Sequence, residues 1–224
     1  MQIVVAGVDR LAAELAAEFE RLVEAGPLSC ALTGGGAGII ILGALRSARL
    51  DWTRVSLFWT DERPVPPEHP DSSLGLARRM LIAPLERRGP RVFPMPAAQP
   101  DLERAAAEYD GLLDDALAGG ALDLAIVGVG EDGHVAGLFP RHAALTASSR
   151  VVAVPDAPHP PARRLTLSLP FLASSARVWV VAMGPRKRGA VQAAVAKAGR
   201  DTPIEQLVRD SADVTIFTDQ SMRW

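Results

Sequence analysis

Residues 122–127 read Leu-Asp-Leu-Ala-Ile-Val and are apolar at every position except Asp123. A strand with one face in water alternates apolar and polar residues, whereas a strand covered on both faces does not. The segment therefore predicts a central strand of a parallel sheet. Other short apolar runs alternate with longer stretches rich in Ala, Leu, Glu and Arg. This alternation predicts an α/β fold, a three-layer sandwich around a mostly parallel, Rossmann-like sheet.

The predicted helices carry apolar residues three to four positions apart, which gives each a buried face. On the first helix this face consists of Leu11, Leu15, Phe19 and Leu22. The predicted helices are 10–25, 39–48, 73–84, 101–117 and 186–198. The predicted strands are 3–5, 29–33, 55–60, 122–127, 151–154, 177–182 and 214–216. No repeat or low-complexity linker interrupts them, so we expect a single domain over residues 1–224.

The composition excludes several classes of protein. Hydrophobic residues make up 48% and charged residues 22% of the chain, as in globular proteins. A formal net charge of −2 gives no overall positive field for nucleic acid. No apolar run approaches the ~20 residues that span a bilayer, and no signal peptide is recognisable, so a cytoplasmic location is expected. Cys30, the single cysteine, excludes an intrachain disulfide.

Residues 33–38 read Thr-Gly-Gly-Gly-Ala-Gly and separate a predicted strand from a predicted helix. Glycines let the backbone approach a ligand closely, and the helix that follows offers free N–H groups to an anion. A phosphate-binding loop fits this pattern, and so does a tight turn between strand and helix. The segment has neither the dinucleotide-binding fingerprint nor a Walker loop.

A second glycine-rich segment, residues 128–140, follows the predicted central strand and contains Asp132 and His134. These two residues are two positions apart, so a bent loop could turn both toward one pocket. Imidazole titrates near neutral pH and can take a proton from water. The pattern favours His134 as a general base over a structural or exposed histidine. The other histidines show no metal-ligand spacing with His134, so no metal is expected.

Other charged residues lie next to predicted strands: two groups follow a strand, and one, at 163–164, leads into an apparent strand. Asp61 and Arg63 come directly after residues 55–60 and could orient a sugar hydroxyl or a phosphate, or form a surface ion pair. Arg164 and Lys187 belong to two later basic clusters, at 163–164 and 186–188. Arg and Lys both bind phosphate well, although a solvated basic surface has the same composition. Ligands of parallel sheets bind at the carboxyl ends of strands, where all these residues are expected.

Four ordered motifs between about residues 33 and 187 resemble those of the 6-phosphogluconolactonase family, which is grouped with glucosamine-6-phosphate deaminase and ribose-5-phosphate isomerase. The strongest are Trp-Thr-Asp-Glu-Arg at 59–63 and the segment 128–140. The resemblance implies a sugar-phosphate isomerase-type fold. It also implies hydrolysis of 6-phospho-D-glucono-1,5-lactone to 6-phospho-D-gluconate, in the oxidative pentose phosphate pathway, without a cofactor. The implied partner is this small sugar-phosphate lactone, and we expect a monomer or small homo-oligomer.

The resemblance also suggests roles for the site residues. His134 would act as general base on water, and either Asp132 or Asp61 would orient His134 or a sugar hydroxyl. Arg63 or backbone N–H groups would stabilise charge on the carbonyl oxygen. The residues expected to bind the phosphate are Gly34, Gly35, Gly36, Arg164 and Lys187.

Some positions depart from the family pattern. The usual Gly-Gly-Ser-Thr-Pro loop is Gly-Gly-Gly-Ala-Gly at 34–38, which removes two hydroxyls, and His159 stands where the family usually has Lys. The altered loop motivates a second hypothesis, a non-catalytic sugar-phosphate sensor. A third is a glucosamine-6-phosphate deaminase or isomerase. The Phe-Asn-Glu-Pro that follows the histidine in deaminases is replaced by Leu-Phe-Pro at 138–140, which favours the lactonase.

Overall fold

Seven parallel strands form the main sheet of the computed structural model, which describes residues 1–85 and 88–222. In order across the sheet they are β1 (Gln2–Ala6), β10 (Val214–Asp219), β9 (Arg177–Ala182), β6 (Leu124–Gly128), β2 (Leu28–Leu32), β3 (Val55–Trp59) and β5 (Arg91–Val92). The apolar run found in the sequence forms β6, the middle strand. Its residues from Leu124 to Val127 are completely buried, as expected for a strand covered on both faces.

Helices flank this sheet, which confirms the predicted fold class. They are α1 (Val8–Ala25), α2 (Gly35–Arg46), α3 (Ser73–Ala77), α4 (Ala83–Leu85), α5 (Leu102–Leu117), α6 (Leu169–Ala173), α7 (Arg188–Ala196) and α8 (Pro203–Asp210). The predicted helix 73–84 consists of α3 and α4 joined by the π-helical turn Arg78–Ile82. None of the described helices has the length and apolar character needed to cross a bilayer.

A second, antiparallel sheet was not predicted. It consists of β4 (Asp61–Glu62), β8 (Arg164–Leu167) and β7 (Val151–Val154), in that order. Thr60 connects the two sheets: its N–H donates to the Leu32 carbonyl at 2.9 Å, and its carbonyl accepts from the Leu167 N–H at 2.8 Å. The small sheet is therefore fixed at the carboxyl ends of β2 and β3.

The remaining differences from the sequence prediction are short elements. α6, α8, β4 and β5 were not predicted, and each contains at most eight residues. Strand 151–154 was predicted correctly, although it belongs to the small sheet. The single domain over residues 1–224 and the monomeric or small homo-oligomeric assembly stay predictions.

Candidate active site

One cavity of about 310 Å³ opens at the carboxyl ends of the central strands. Its wall contains the glycine loop after β2, residues 61 and 63 after β3, the loop after β6, and Lys187 after β9. Loops from four parallel strands therefore meet at one edge of the sheet, which is where ligands of such folds bind. The structure brings together these predicted site residues: Gly34, Gly35, Gly36, Asp61, Arg63, His134 and Lys187.

His134 and Asp132 form a hydrogen-bonded pair beside this cavity. Nδ1 of His134 lies 2.6 Å from Oδ1 of Asp132, and the backbone N–H of His134 donates to the same oxygen at 3.1 Å. An ionised carboxylate only accepts hydrogen bonds, so it places the ring proton on Nδ1. Nε2 then keeps its lone pair and can accept a proton.

The protonation states of this pair follow from burial and charge. Burial lowers the pKa of His134 below its usual value of 6.5, although the charge of Asp132 opposes the shift. Burial tends to raise the pKa of Asp132, but hydrogen bonds and charge from His134 outweigh it and lower this pKa. Near neutral pH the imidazole is therefore neutral and the carboxylate is charged, as a general base and its partner require.

Hydrogen bonds within the loop that carries His134, and others to distant elements, hold this loop in place. The Gly130 N–H donates to the His134 carbonyl at 2.8 Å and closes the loop. The Gly133 carbonyl accepts from the N–H of Ile204 in α8 at 3.1 Å, and Gly133 has a φ of +86° that favours glycine. Thr166 in β8 accepts from the Gly137 N–H at 3.0 Å. Two elements that the sequence pattern did not lead us to predict, α8 and the small sheet, therefore position the candidate base.

Asp61 and Arg164 lie close together but face different surroundings. Asp61 is 5% exposed, lines the cavity, and has no hydrogen bond to its carboxylate among the described residues. Arg164 donates to the carbonyls of His159 and Pro160 at 3.3 and 3.2 Å, and it is not part of the cavity wall. Burial lowers the pKa of Arg164, and the negative charge of Asp61 is the largest influence that opposes this shift.

Arg63 is held at the edge of the glycine loop by its neighbours. Its Nη1 donates to the Asp71 carbonyl at 2.9 Å. The Glu62 carboxylate accepts from the backbone N–H groups of Arg63 at 2.9 Å and of Ser73 at 2.8 Å, which fixes the intervening loop. Burial raises the pKa of Glu62 against these donors. A β-carbon on Gly34 would lie only 3.1 Å from Nη1 of Arg63, so the guanidinium packs directly against the glycine loop.

The glycine loop ends where α2 begins, at Gly35. The first N–H groups of a helix have no partner within it, and they carry partial positive charge. Lys187, in the 3₁₀ turn Pro185–Lys187, lines the same cavity. The backbone N–H donors of the glycine loop and Lys187 thus line the same cavity, although the sequence lacks the hydroxyls usual in this loop.

His159 is a neighbour that the sequence analysis did not bring to the site. Its Nε2 lies 3.3 Å from Oδ2 of Asp132, and the ring centroids of His159 and His134 are 5.4 Å apart. The Phe139 ring packs against both imidazoles, at 4.8 Å from His134 and 5.6 Å from His159. No regular spacing connects residues 134 and 159, so only the path of the intervening chain reveals this contact.

Comparisons with known proteins found a family model and relatives that match most of this chain. The family described as glucosamine-6-phosphate isomerases/6-phosphogluconolactonase matches residues 5–217. A 6-phosphogluconolactonase of Mycobacterium tuberculosis is 38% identical over 203 residues, which cover 81% of this chain and 82% of that protein.

Solved structures share the fold at low identity. The 6-phosphogluconolactonase from Trypanosoma cruzi superposes with a TM-score of 0.86 at 22% identity, covering 99% of this chain and 95% of that one. A monomeric glucosamine-6-phosphate deaminase superposes with a TM-score of 0.81 at 19% identity, covering 100% of both chains. Since both kinds of enzyme have this fold, the fold by itself does not distinguish them.

Proposed function

Because the chain belongs to the glucosamine-6-phosphate isomerase/6-phosphogluconolactonase family, we propose that it hydrolyses 6-phospho-D-glucono-1,5-lactone to 6-phospho-D-gluconate in the oxidative pentose phosphate pathway. Its curated relatives named 6-phosphogluconolactonase support this reaction over the other activity of the family. The observation that carries the proposal is the Asp132–His134 pair. It leaves Nε2 of a neutral imidazole available at a cavity that also holds Lys187 and Arg63.

In the proposed mechanism, Nε2 of His134 takes a proton from a water molecule as the water oxygen attacks the lactone carbonyl carbon. Asp132 holds the imidazole in the required tautomer and stabilises the imidazolium that forms. The tetrahedral intermediate then collapses and breaks the bond to the ring oxygen, which receives the proton from His134. General-base assistance of this kind contributes a rate factor of about 100 to 10,000.

Negative charge develops on the lactone carbonyl oxygen as water attacks, and hydrogen-bond donors that are already in place must stabilise it. Arg63 lies on the cavity wall and supplies such a donor in our proposal. The lactone is an activated ester, so the chemistry needs no metal or organic cofactor.

Asp61 accepts a hydrogen bond from a sugar hydroxyl in this scheme, since its buried carboxylate has no partner among the described residues.

We assign the 6-phosphate to the N–H groups of Gly34, Gly35 and Gly36 together with Lys187. Arg164 was also expected to bind the phosphate. Two of its hydrogen bonds go to backbone carbonyls, so we propose that it supports the site through charge and loop position.

A coupled assay tests the proposed function. 6-Phosphogluconate formation is followed with an excess of 6-phosphogluconate dehydrogenase, and the spontaneous hydrolysis of the lactone is subtracted. We expect enzyme-dependent turnover of the phosphorylated lactone. Hydrolysis of glucono-1,5-lactone, which lacks the phosphate, is followed separately by the release of acid and should be far slower. Binding of 6-phosphogluconate without turnover would identify a sensor, and ammonia release from glucosamine 6-phosphate would identify a deaminase. Either result would overturn the proposal.

A further inference from the structure

Asp132 lies between two imidazoles, and the mechanism proposed above uses only one of them. Its Oδ1 lies 2.6 Å from Nδ1 of His134, and its Oδ2 lies 3.3 Å from Nε2 of His159. One nitrogen from each histidine and one carboxylate oxygen all lie within 4.8 Å of one another. Two imidazoles and a carboxylate form a donor set that binds Zn²⁺ and related divalent cations.

We propose that Asp132, His134 and His159 bind one divalent cation of the Zn²⁺ type, and that the bound cation inhibits hydrolysis. The inhibitory part rests on the proposed function, whereas the binding part does not. His159 supplies one of the three ligands, and a lysine at this position would remove it, because a protonated lysine cannot ligate a metal.

The distances are close to those that a cation requires. Ligand atoms at 2.0–2.2 Å from a tetrahedral Zn²⁺ are about 3.3–3.6 Å apart. Nε2 of His159 already lies at this separation from Oδ2 of Asp132, at 3.3 Å, and Nδ1 of His134, at 2.6 Å from Oδ1, needs to move away by less than about 1 Å. The two contacts reach different carboxylate oxygens, so Asp132 would bind the cation through both oxygens or rotate to present one of them. The three ligand atoms lie within 4.8 Å of one another, so the other shifts required are also small. The side chains of Asp132 and His159 are 37% and 53% exposed, so they have room to move.

A cation at this position would prevent His134 from acting as the general base. Neutral imidazole has one nitrogen with a lone pair and one with a proton. A cation on Nδ1 of His134 uses the lone pair there and leaves the proton on Nε2, the nitrogen that must accept a proton from water. It also takes the carboxylate of Asp132 away from its role in orienting the ring.

The test measures binding directly, with the full-length chain free of any polyhistidine tag. Zn²⁺ affinity is determined by competition with a chromophoric chelator, and Co²⁺ serves as a spectroscopic probe of tetrahedral nitrogen and oxygen ligation. The variant is His159→Lys. The matched control is His142→Gln, which removes another histidine that is paired with an aspartate, Asp156, at 3.0 Å.

We expect the wild type and His142→Gln to bind one cation per chain and to show the visible absorption of tetrahedral Co²⁺. His159→Lys should lose Zn²⁺ affinity by more than the roughly 10- to 100-fold that removal of an outer partner of a ligand costs. Zn²⁺ should inhibit lactone hydrolysis by the wild type reversibly. It should inhibit His159→Lys only at higher Zn²⁺ concentrations.

Equal affinity in His159→Lys and the wild type, or no cation binding by the wild type, would overturn the site. Cation binding through His159 without inhibition of an active enzyme would overturn the inhibitory role. Absence of lactone hydrolysis would contradict the proposed function alone, because the Co²⁺ spectrum and the chelator competition do not depend on turnover.

Discussion

A β-carbon on Gly130 would lie 2.0 Å from Nδ1 of His134, which is far inside van der Waals contact. This β-carbon would also lie 2.4 Å from Oδ1 of Asp132. The hydrogen bond between Asp132 and His134 therefore forms in space that any side chain at position 130 would fill. This requirement connects the glycine pattern of the loop to the chemistry of the candidate base.

We expect Gly130→Ala to displace the imidazole and lower kcat by about 100-fold, as misplacement of a reacting group by about 1 Å can do. Gly43→Ala is the matched control, since Gly43 lies exposed in α2 and a β-carbon there would meet nothing within 4 Å. It should keep normal kinetics and gain about 0.5–1 kcal/mol of stability. Steady-state kinetics and thermal unfolding of both variants check this, and a Gly130→Ala enzyme with normal kcat would contradict the loop geometry.

The pH dependence follows from the burial of His134. Since burial lowers the pKa of this imidazole, kcat/KM should rise with pH and level off once the base is deprotonated. The midpoint of this rise should lie below the ordinary value of 6.5. A pH profile of kcat/KM, corrected for spontaneous hydrolysis, measures it. A midpoint above 6.5 would show that burial does not dominate the titration of His134.

Asp132→Asn should lower kcat by roughly 100-fold or more, because the amide no longer fixes the proton on Nδ1. It should also move the midpoint of the pH profile to lower pH, since the negative charge that raises the pKa of His134 is lost. Asp156→Asn, at the pair of His142 and Asp156, is the control and should change neither value. Normal kcat in Asp132→Asn would remove Asp132 from the mechanism.

Lys187→Ala should act mainly on KM, because contacts to the phosphate are the same in the bound substrate and in the transition state. Loss of a charged hydrogen bond worth about 1.5–3 kcal/mol corresponds to a KM increase of roughly 10- to 100-fold. Lys197, the other lysine of the chain, lies exposed at the end of α7, and Lys197→Ala should leave KM unchanged. An unchanged KM in Lys187→Ala would place the phosphate elsewhere.

The sequence predicted the parts of this protein that depend on local pattern. A run of apolar residues identified β6 because burial on both faces eliminates polar alternation. The rule that parallel strands direct their loops to one edge predicted that Gly34, Asp61 and His134 would meet, and the structure brings them to one cavity. The roles of these residues stay predictions until the variants are measured.

Other parts depend on contacts between distant segments, which leave little local trace. β4 has only two residues, Asp61 and Glu62, and becomes a strand by pairing with β8 more than 100 positions later. His159 reaches Asp132 only through the path of its loop. The charge of Arg164 predicts phosphate binding, which stays a prediction. The two backbone carbonyls that accept its hydrogen bonds are not apparent from the sequence.

α8 is different, because its start carried a readable signal that the sequence analysis overlooked. Thr202 is followed by Pro203 and, three positions on, by Glu205, which is a capping box with proline in the first turn. The Glu205 carboxylate accepts from the Thr202 N–H at 3.0 Å. This short helix then supports the loop of His134 through Ile204, so a recognisable cap contributes to the candidate site.

The turnover number of His134→Ala tests the central claim most directly. Measured in the coupled assay above the spontaneous background, kcat should fall by at least about 100-fold, because the general base is removed. Far-ultraviolet circular dichroism should show an intact fold, and His142→Ala, which removes the histidine paired with Asp156, should keep full activity. A His134→Ala enzyme that hydrolyses the lactone at the wild-type rate would contradict the account.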